Sequence, residues 1–332
     1  MTLGVIDVTI HELKVTDMSN DKPKINLDKL KTYPISKRMC KVRYEDFAKP
    51  PSKGAAFSDF YNSLPKILAG ADFKSVVDAI VSGYRKKKPV IFMMGAHVIK
   101  CGLNPIIIEL MKKKVITAIS LNGAGAIHDF EIALIGRTSE DVPGALDDGS
   151  FGMAKETALY INGALEEAVE KDMGAGRAIA EVIKDEKLPF RNHSLLYNAL
   201  KEDVLSTVHI AIGTDIIHQH PSFDARAAGE ASLRDFHSLI EEIASLGDGG
   251  VVLNIGSSVI LPEVFLKAMN VARNLGYKVK DFTAVNFDMI QHYRPYQNVV
   301  ARPVKSGGKG YNIIGHHEIL LPFLGQAVIE EI

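Results

Sequence analysis

The chain has 332 residues, and its 39 Lys and Arg nearly balance its 40 Asp and Glu, which leaves a net charge of -1. A charge so close to neutral argues against a bulk electrostatic grip on nucleic acid or an anionic membrane, so we expect neither as a partner. Hydrophobic residues make up 46% and charged residues 24% of the chain, as in a soluble globular protein. The length fits two domains or one large α/β domain.

The first part of the chain, residues 1–55, is polar and rich in lysine. Its beginning lacks the basic flank and apolar core of a signal peptide. Cys40 and Cys101 are too few for a disulfide framework or a thiolate zinc site. No stretch reaches the ~18 apolar residues of a membrane span. We therefore expect a cytoplasmic protein in which residues 1–55 form an extended arm with few regular elements.

From residue 56 onwards, short apolar runs alternate with helical patterns. Each run ends in a glycine or polar loop, and such runs are typical of strands buried on both faces of a parallel sheet. The sequence predicts one α/β domain over 56–332, with a doubly wound, mostly parallel, Rossmann-like sheet. A helical insertion is expected at 136–190. The predicted strands are Pro89–Met94, Val115–Ile119, Val208–Ile212, Val251–Ile255 and Phe282–Asn286.

The loops after these strands hold the residues that we expect to bind a ligand. Carboxyl ends of parallel strands meet at one edge of a sheet, where open α/β proteins bind ligands. Glycines allow close approach of a ligand, and the N–H groups that begin the following helix can bind phosphate. Gly123–Gly125 and Gly256–Ser258 are therefore candidate pyrophosphate sites, although glycine is also an ordinary turn residue.

Many of the eleven histidines of the chain lie at or near these loops. They suit acid–base chemistry near neutral pH, or they could simply tie loops together by hydrogen bonds. A metal site from His128, Asp129, His218 and His220 is a third possibility, but no HExxH-type spacing supports it and no metal is expected. The histidines in question are His97, His128, His218, His220, His292, His316 and His317.

The segment Ser306-Gly-Gly-Lys309-Gly310 places a lysine on a glycine-rich turn. Such a lysine can anchor phosphate, act as a nucleophile if its pKa is lowered, or be solvated.

From about Pro89 to the C-terminus, these motifs together resemble the deoxyhypusine synthase family, with a poor match over 136–200. The matching loops are Ala96–Leu103, Asn122–Asp129, Thr214-Asp215, Gly256–Ser258, Asn286–Asp288 and His316–Glu318. The resemblance implies a Rossmann-like fold, NAD as cofactor at the subunit interfaces of a homotetramer, and transfer of an aminobutyl group from spermidine through an active-site lysine.

The resemblance also implies roles for individual residues. The cofactor would be bound by Ala96, His97, Lys100, Asn122, Gly123, Ala124, Asp215, Gly256, Ser257, Asn286, Asp288, His316 and His317. The substrate would be bound by His128, Asp129, His220 and His292, and the catalytic candidates are Lys309, His128 and His220. The family lysine matches Pro303 by its spacing from Arg294-Pro295, or Lys309 by local similarity.

His128 and His220 stand where the family has acids, so unmodified spermidine should bind poorly. Three functions stay open: an NAD-dependent transferase acting on a polyamine or related small-molecule amine, an NAD-dependent redox enzyme with histidine acid–base groups and no lysine imine, or a non-catalytic nucleotide-binding assembly subunit. The family's catalytic lysine lies in a Ser-Trp-Gly-Lys stretch, and the absence of Trp-Gly-Lys from this sequence favours the last two functions. The His, Asp and Lys at the strand ends favour the first two. Of these three functions we expect the transferase, but we do not expect it to perform ordinary deoxyhypusine synthesis.

Overall fold

The computed structural model describes residues 23 and 25–332, which belong to two compact units that meet in sequence between Arg43 and Tyr44. The described residues of the first unit are exposed and form short 3-10 turns at Leu27–Lys29 and Ile35–Lys37. The first 22 residues and residue 24 lie outside the described residues. The prediction that the chain begins without a signal peptide falls on this part of the arm. The structure leaves two predictions untested: the division of the chain into 1–55 and 56–332, and the helical insertion at 136–190.

The second unit is built on a six-stranded parallel sheet with the strand order β3-β2-β1-β4-β5-β6. In β1, Ile91 and Met93 join one apolar cluster while Val90, Phe92 and Met94 join another. Successive strand residues point to opposite faces, so both faces are covered, and the predicted α/β, Rossmann-like class is confirmed. The strands are β1 Val90–Met94, β2 Ala118–Asn122, β3 Leu205–His209, β4 Val251–Ile255, β5 Thr283–Asp288 and β6 Lys309–Ile314.

Helices fill the connections between the strands. In the described residues, no helix combines the length and apolar character that crossing a membrane requires. The last connection, between β5 and β6, is irregular: the short helix α12, Tyr293–Pro295, continues into a π-helical segment, Tyr296–Ala301, and a 3-10 turn, Pro303–Ser306. The helices are α1 Phe57–Ser63, α2 Leu68–Arg85, α3 His97–Lys100, α4 Asn104–Lys112, α5 Gly123–Ile135, α6 Val142–Asp148, α7 Lys155–Glu170, α8 Ala175–Asp185, α9 Leu195–Lys201, α10 Ala225–Ala244, α11 Ile260–Asn274, α12 Tyr293–Pro295 and α13 His317–Glu331.

Two strands lie three residues away from their predicted bounds. β2 begins at Ala118 rather than Val115, and β3 begins at Leu205 rather than Val208. Both strands include buried polar residues, which hydrophobicity alone does not assign to a strand. Thr207 Oγ1 donates to Ser120 Oγ at 2.8 Å across the two strands, so these hydroxyls satisfy each other inside the sheet.

Candidate functional site

A cavity of about 260 Å³ lies at the carboxyl ends of β2 and β3. Its wall includes four residues that the sequence predicted from three separate loops: Lys100, Ala124, His128 and Asp215. The sheet order places β2 next to both β1 and β3, so these three loops meet at one edge. The structure thus brings together the part of the predicted site that surrounds the start of α5.

Asp215 lies against the first turn of α5. The N-terminus of this helix is capped by Asn122, whose side chain accepts a hydrogen bond from the N–H of Gly125 at 2.9 Å. A Cβ atom on Gly123 would lie only 2.0 Å from Asp215 Oδ2, so the carboxylate fills the space that the missing side chain leaves. Only glycine permits this approach.

The same carboxylate has an unused hydrogen-bonding position. Asp215 Oδ2 is buried and has no partner among the described residues. Burial raises the pKa of Asp215 to about 6, although the Thr214 hydroxyl and nearby His128 act in the opposite direction. A carboxyl group that titrates near neutral pH and lacks a partner is suited to bind a ligand hydroxyl or to exchange a proton.

His128 is held by a hydrogen bond to Thr138, which lies beyond the end of α5. Its Nδ1 lies 2.5 Å from Thr138 Oγ1, and that hydroxyl donates to Glu131 Oε2. Thr157 Oγ1 donates to the other carboxylate oxygen of Glu131 at 3.2 Å. Burial acts to raise the pKa of Glu131, but the hydrogen bonds from His128 and Thr138 outweigh it and lower that pKa, so Glu131 is an anion at neutral pH.

This chain of hydrogen bonds determines the tautomer of His128. Because the Thr138 hydroxyl gives its only proton to Glu131, it accepts the Nδ1 proton of His128. The lone pair of the neutral imidazole is therefore on Nε2, as required for a proton acceptor. His128 thus presents Nε2 as its free nitrogen and is linked through Thr138 to the Glu131 carboxylate.

Two acidic residues of the cavity, Glu131 and Glu140, were not predicted. Glu131 lies one helical turn after His128, and this i,i+3 spacing was a usable signal. Glu140 lies in the region of poor family match, and one of its oxygens accepts the N–H of Gly152 at 3.0 Å. With Asp215 these carboxylates outnumber the lysine, Lys100, so the cavity favours a cationic ligand.

A second group of predicted residues gathers at the carboxyl ends of β1, β4 and β5. The rings of His97 and His317 are 5.9 Å apart. His317 is 3% exposed, and its Nδ1 has no partner among the described residues. Burial lowers the pKa of His317 against the attraction of Asp288, so its ring is neutral. Because α3 begins at His97 and ends at Lys100, this short helix connects the two groups.

The predicted pyrophosphate site at Gly256–Ser258 is filled by protein. A Cβ on Gly256 would lie 2.7 Å from His317 Nε2, and one on Gly95 would lie 2.2 Å from the Gly256 carbonyl oxygen. Ser257 is buried and accepts the N–H of Leu261 at 3.2 Å, at the start of α11. The glycines here allow loops to pack against one another.

Asp129 belongs to the core and not to the substrate site. It is fully buried and accepts hydrogen bonds from Ser194 Oγ, the N–H groups of Leu195 and Leu196, and Asn104 Nδ2 at 2.6–3.2 Å. Burial raises its pKa to about 6, although these donors oppose the shift. Asp129 therefore caps α9 and joins it to α5.

Two other predicted residues, His220 and Asn286, also contact protein. His220 Nε2 is 2.8 Å from the Gly152 carbonyl oxygen, which ties the loop after β3 to the segment before α7. Asn286 accepts from Asn254 and donates to Asn312, both at 2.8 Å, across β4, β5 and β6. His292 is the N-cap of α12. It belongs neither to the residues around the cavity at α5 nor to the group of His97 and His317.

Lys309 lies at the opposite end of the sheet. It is the first residue of β6 and pairs with Thr283, whereas the last residue of β6, Ile314, pairs with Asp288 at the carboxyl end. At about 3.3 Å per residue, β6 separates the two ends by roughly 16 Å. The glycine turn precedes β6, so neither Lys309 nor Pro303 before it reaches the cavity at β2 and β3.

The residues of the alternative metal site do not converge. Among the described residues, no group of three or more His, Cys, Asp or Glu side chains is placed to hold a metal ion. His218 Nδ1 instead accepts the N–H groups of Gly213 and Asp215, at 3.0 and 3.2 Å. His316, at the sheet end of α13, lies 3.7 Å from Glu318.

Solved structures of other proteins match most of the chain. A ternary complex of AgrE with ornithine and NAD⁺ matches 79% of this chain and 33% of AgrE, with 12% identity and a TM-score of 0.51. The chain shares the fold of that part of AgrE. It spans about a third of the length of AgrE, and an identity this low shows the fold alone.

Two further solved structures match at lower TM-scores. A protein assigned as LOR/SDH from Methanococcus maripaludis S2 matches 79% of this chain and 70% of its own, with 16% identity and a TM-score of 0.49. A protein assigned as a deoxyhypusine synthase from Entamoeba histolytica matches 84% of this chain and 94% of its own, with 13% identity and a TM-score of 0.48. No family model and no curated protein sequence matches the chain.

Proposed function

We propose that this protein is an NAD-dependent oxidoreductase that oxidises a small cationic amine, with His128 as the proton acceptor. The observation that supports this most is the cavity in which His128, Asp215 and Lys100 converge, with the His128 ring oriented by Thr138 and Glu131. The position of Lys309 at the far end of the sheet favours the redox alternative over a transferase with a lysine imine.

The residues around α5 fit a dinucleotide. The first turn of α5 offers N–H groups at Gly123 and Ala124 for a phosphate, and the unpartnered oxygen of Asp215 offers an acceptor for a ribose hydroxyl. His317, with its unpartnered Nδ1, lies beside His97 at the other end of α3. Bound NAD⁺ would supply a hydride acceptor, and AgrE, which shares the fold, binds NAD⁺.

The residues of the chain would do the rest of the chemistry. The Glu140 carboxylate attracts the substrate ammonium into the cavity. His128 Nε2 takes one proton from the ammonium, and Glu131 stabilises the resulting imidazolium through Thr138. Loss of a hydride from the carbon that bears the amine, to the acceptor that NAD⁺ would supply, would convert the ammonium R₂CH–NH₃⁺ into an iminium R₂C=NH₂⁺, while His128 holds the proton taken from the nitrogen.

The test is amine-dependent formation of NADH, followed by fluorescence with a panel of diamines and basic amino acids. We expect turnover with at least one of them. His128→Asn should lower the turnover rate by about 10²-fold or more, the usual contribution of a general base. Lys309→Ala should leave the rate unchanged. A borohydride-trapped adduct on Lys309, together with loss of activity in Lys309→Ala, would instead establish the transferase.

A further inference from the structure

The parallel sheet has two edges, and one of them, β3, is closed by side chains of α10. The N–H of Val208 donates to Asp235 Oδ2 at 2.7 Å, and the N–H of Ile210 donates to Ser232 Oγ at 3.0 Å. The same serine hydroxyl donates to the carbonyl oxygen of Val208 at 3.3 Å. These side chains therefore occupy the positions that a further strand would need.

The opposite edge, β6, is open. The N–H groups of Lys309 and Gly315 donate to carbonyl oxygens of the β5 segment, both at 3.0 Å. Because the backbone groups of alternate strand residues point to opposite sides, those of Gly310, Asn312 and Ile314 point away from β5. No hydrogen bond joins these outward groups to any other residue that the structure describes. An edge strand in this state is a template for pairing with another strand.

The side chains along this edge differ between its two ends. At the amino end, Gly310 leaves a gap, since a Cβ there would lie 2.0 Å from the carbonyl oxygen of Val300. At the carboxyl end, the side chain of Ile314 is 49% exposed, and the exposed residues Met289 and Ile290 follow the neighbouring strand β5. One end thus has an exposed apolar group and the other has room for one.

We propose that β6 pairs with β6 of a second copy of this chain, antiparallel about a two-fold axis at Asn312. The three outward residues are spaced evenly about Asn312. The axis therefore places Asn312 opposite Asn312 of the partner subunit and Ile314 opposite Gly310 of the partner subunit. Directly opposed residues of this kind exchange both of their N–H···O bonds, so every outward group of β6 gains a partner.

The symmetry of the edge favours a second copy over an unrelated strand. A two-fold contact uses the same surface on both subunits, so it must be complementary to itself. Here each Ile314 side chain lies over the gap at Gly310 of the partner subunit, and large side chains across from edge glycines stabilise strand pairs. The antiparallel order also separates the exposed Lys309 of one copy from Lys309 of the partner subunit. This pairing does not depend on the proposed oxidoreductase and can fail independently of it.

Sedimentation of the full chain over a concentration series tests the contact. Ile314→Lys should raise the dissociation constant of the contact about tenfold or more, because each subunit loses an apolar contact and must keep an ammonium hydrated within the interface. Leu233→Lys is the matched control: Leu233 is 51% exposed and lies on α10 at the closed edge. This variant should associate like the wild type. The proposal is overturned if the wild type is a monomer at micromolar concentration, or if the two variants associate equally.

A cysteine at the proposed axis tests the register. Opposed residues of a hydrogen-bonded antiparallel pair have Cα atoms about 5.5 Å apart, which is within disulfide range. With Cys40 and Cys101 replaced by serine, Asn312→Cys should give a covalent dimer on a non-reducing gel after mild oxidation. Leu233→Cys in the same background should stay uncrosslinked. Equal crosslinking of both variants, or none in Asn312→Cys, would contradict the proposed pairing.

Discussion

The substitution Gly123→Ala tests the contact between α5 and Asp215. The new Cβ would lie 2.0 Å from Asp215 Oδ2, whereas ordinary contact begins at 3.4 Å, so the carboxylate must move by more than an ångström. The displaced group would lose the hydrogen bond that we propose it accepts from the cofactor, and such a charge-assisted bond contributes about 1.5–3 kcal/mol. NAD⁺ binding should therefore weaken by about ten- to a hundredfold.

Calorimetric titration with NAD⁺ measures this effect, and Gly229→Ala in α10 is the matched control. No atom lies within 4 Å of a Cβ at Gly229, so that change should leave NAD⁺ binding intact and stabilise the helix by up to about 1 kcal/mol. Gly123→Ala protein that melts like the wild type and binds NAD⁺ with unchanged affinity would show that Asp215 does not contact the cofactor.

Asp129→Ala should lower the free energy of unfolding by at least about 3 kcal/mol, because it leaves the buried donors of Ser194, Leu195 and Leu196 unpaired. Urea unfolding measures this change, and a loss below about 1 kcal/mol would count against the capping role of Asp129. Burial raises the pKa of Asp235 to about 7 despite hydrogen bonds from backbone N–H groups. The folded state thus binds the proton of the Asp235 carboxyl more tightly than the unfolded state does. The free energy of unfolding of the wild type, compared with that of Asp235→Asn, should therefore fall by on the order of 3 kcal/mol as the pH rises from about 4 to about 8. Urea unfolding across that range checks the sign, and a difference that rises with pH would refute it. Lys309→Ala should keep NAD⁺ affinity within about twofold of the wild type, as a surface substitution away from a site does, and a loss beyond tenfold would place the cofactor near β6. Sedimentation should show the homotetramer expected from the family resemblance; monomer alone at micromolar concentration would contradict it.

The sequence predicts strands well where both faces of the sheet are apolar. β1 and β4 lie within a residue of their predicted bounds because each is buried at every position. β6 was not predicted, since only one of the six residues of this edge strand is buried and it begins with Lys309-Gly310. An edge strand is paired on one side only and lacks the continuous apolar run that identifies the central strands.

The site was predicted at the level of loops but not of individual side chains. His128 and Asp129 are neighbours in sequence, yet they are about 100° apart around α5. One faces the cavity and the other faces the start of α9. Which face of α5 meets the ligand depends on how α7 and α9 pack against it, and no local pattern contains that information. The same holds for Glu131, whose partners Thr138 and Thr157 come from separate segments.

A crystal structure of the protein soaked with NAD⁺ tests the central claim most directly, because it locates the cofactor relative to both ends of the sheet. We expect a ribose hydroxyl on the carboxylate of Asp215, a phosphate at the first turn of α5, and the rest of the cofactor along α3 towards His317. Density for NAD⁺ at the amino end of β6, next to Lys309, would contradict the proposed site and its chemistry.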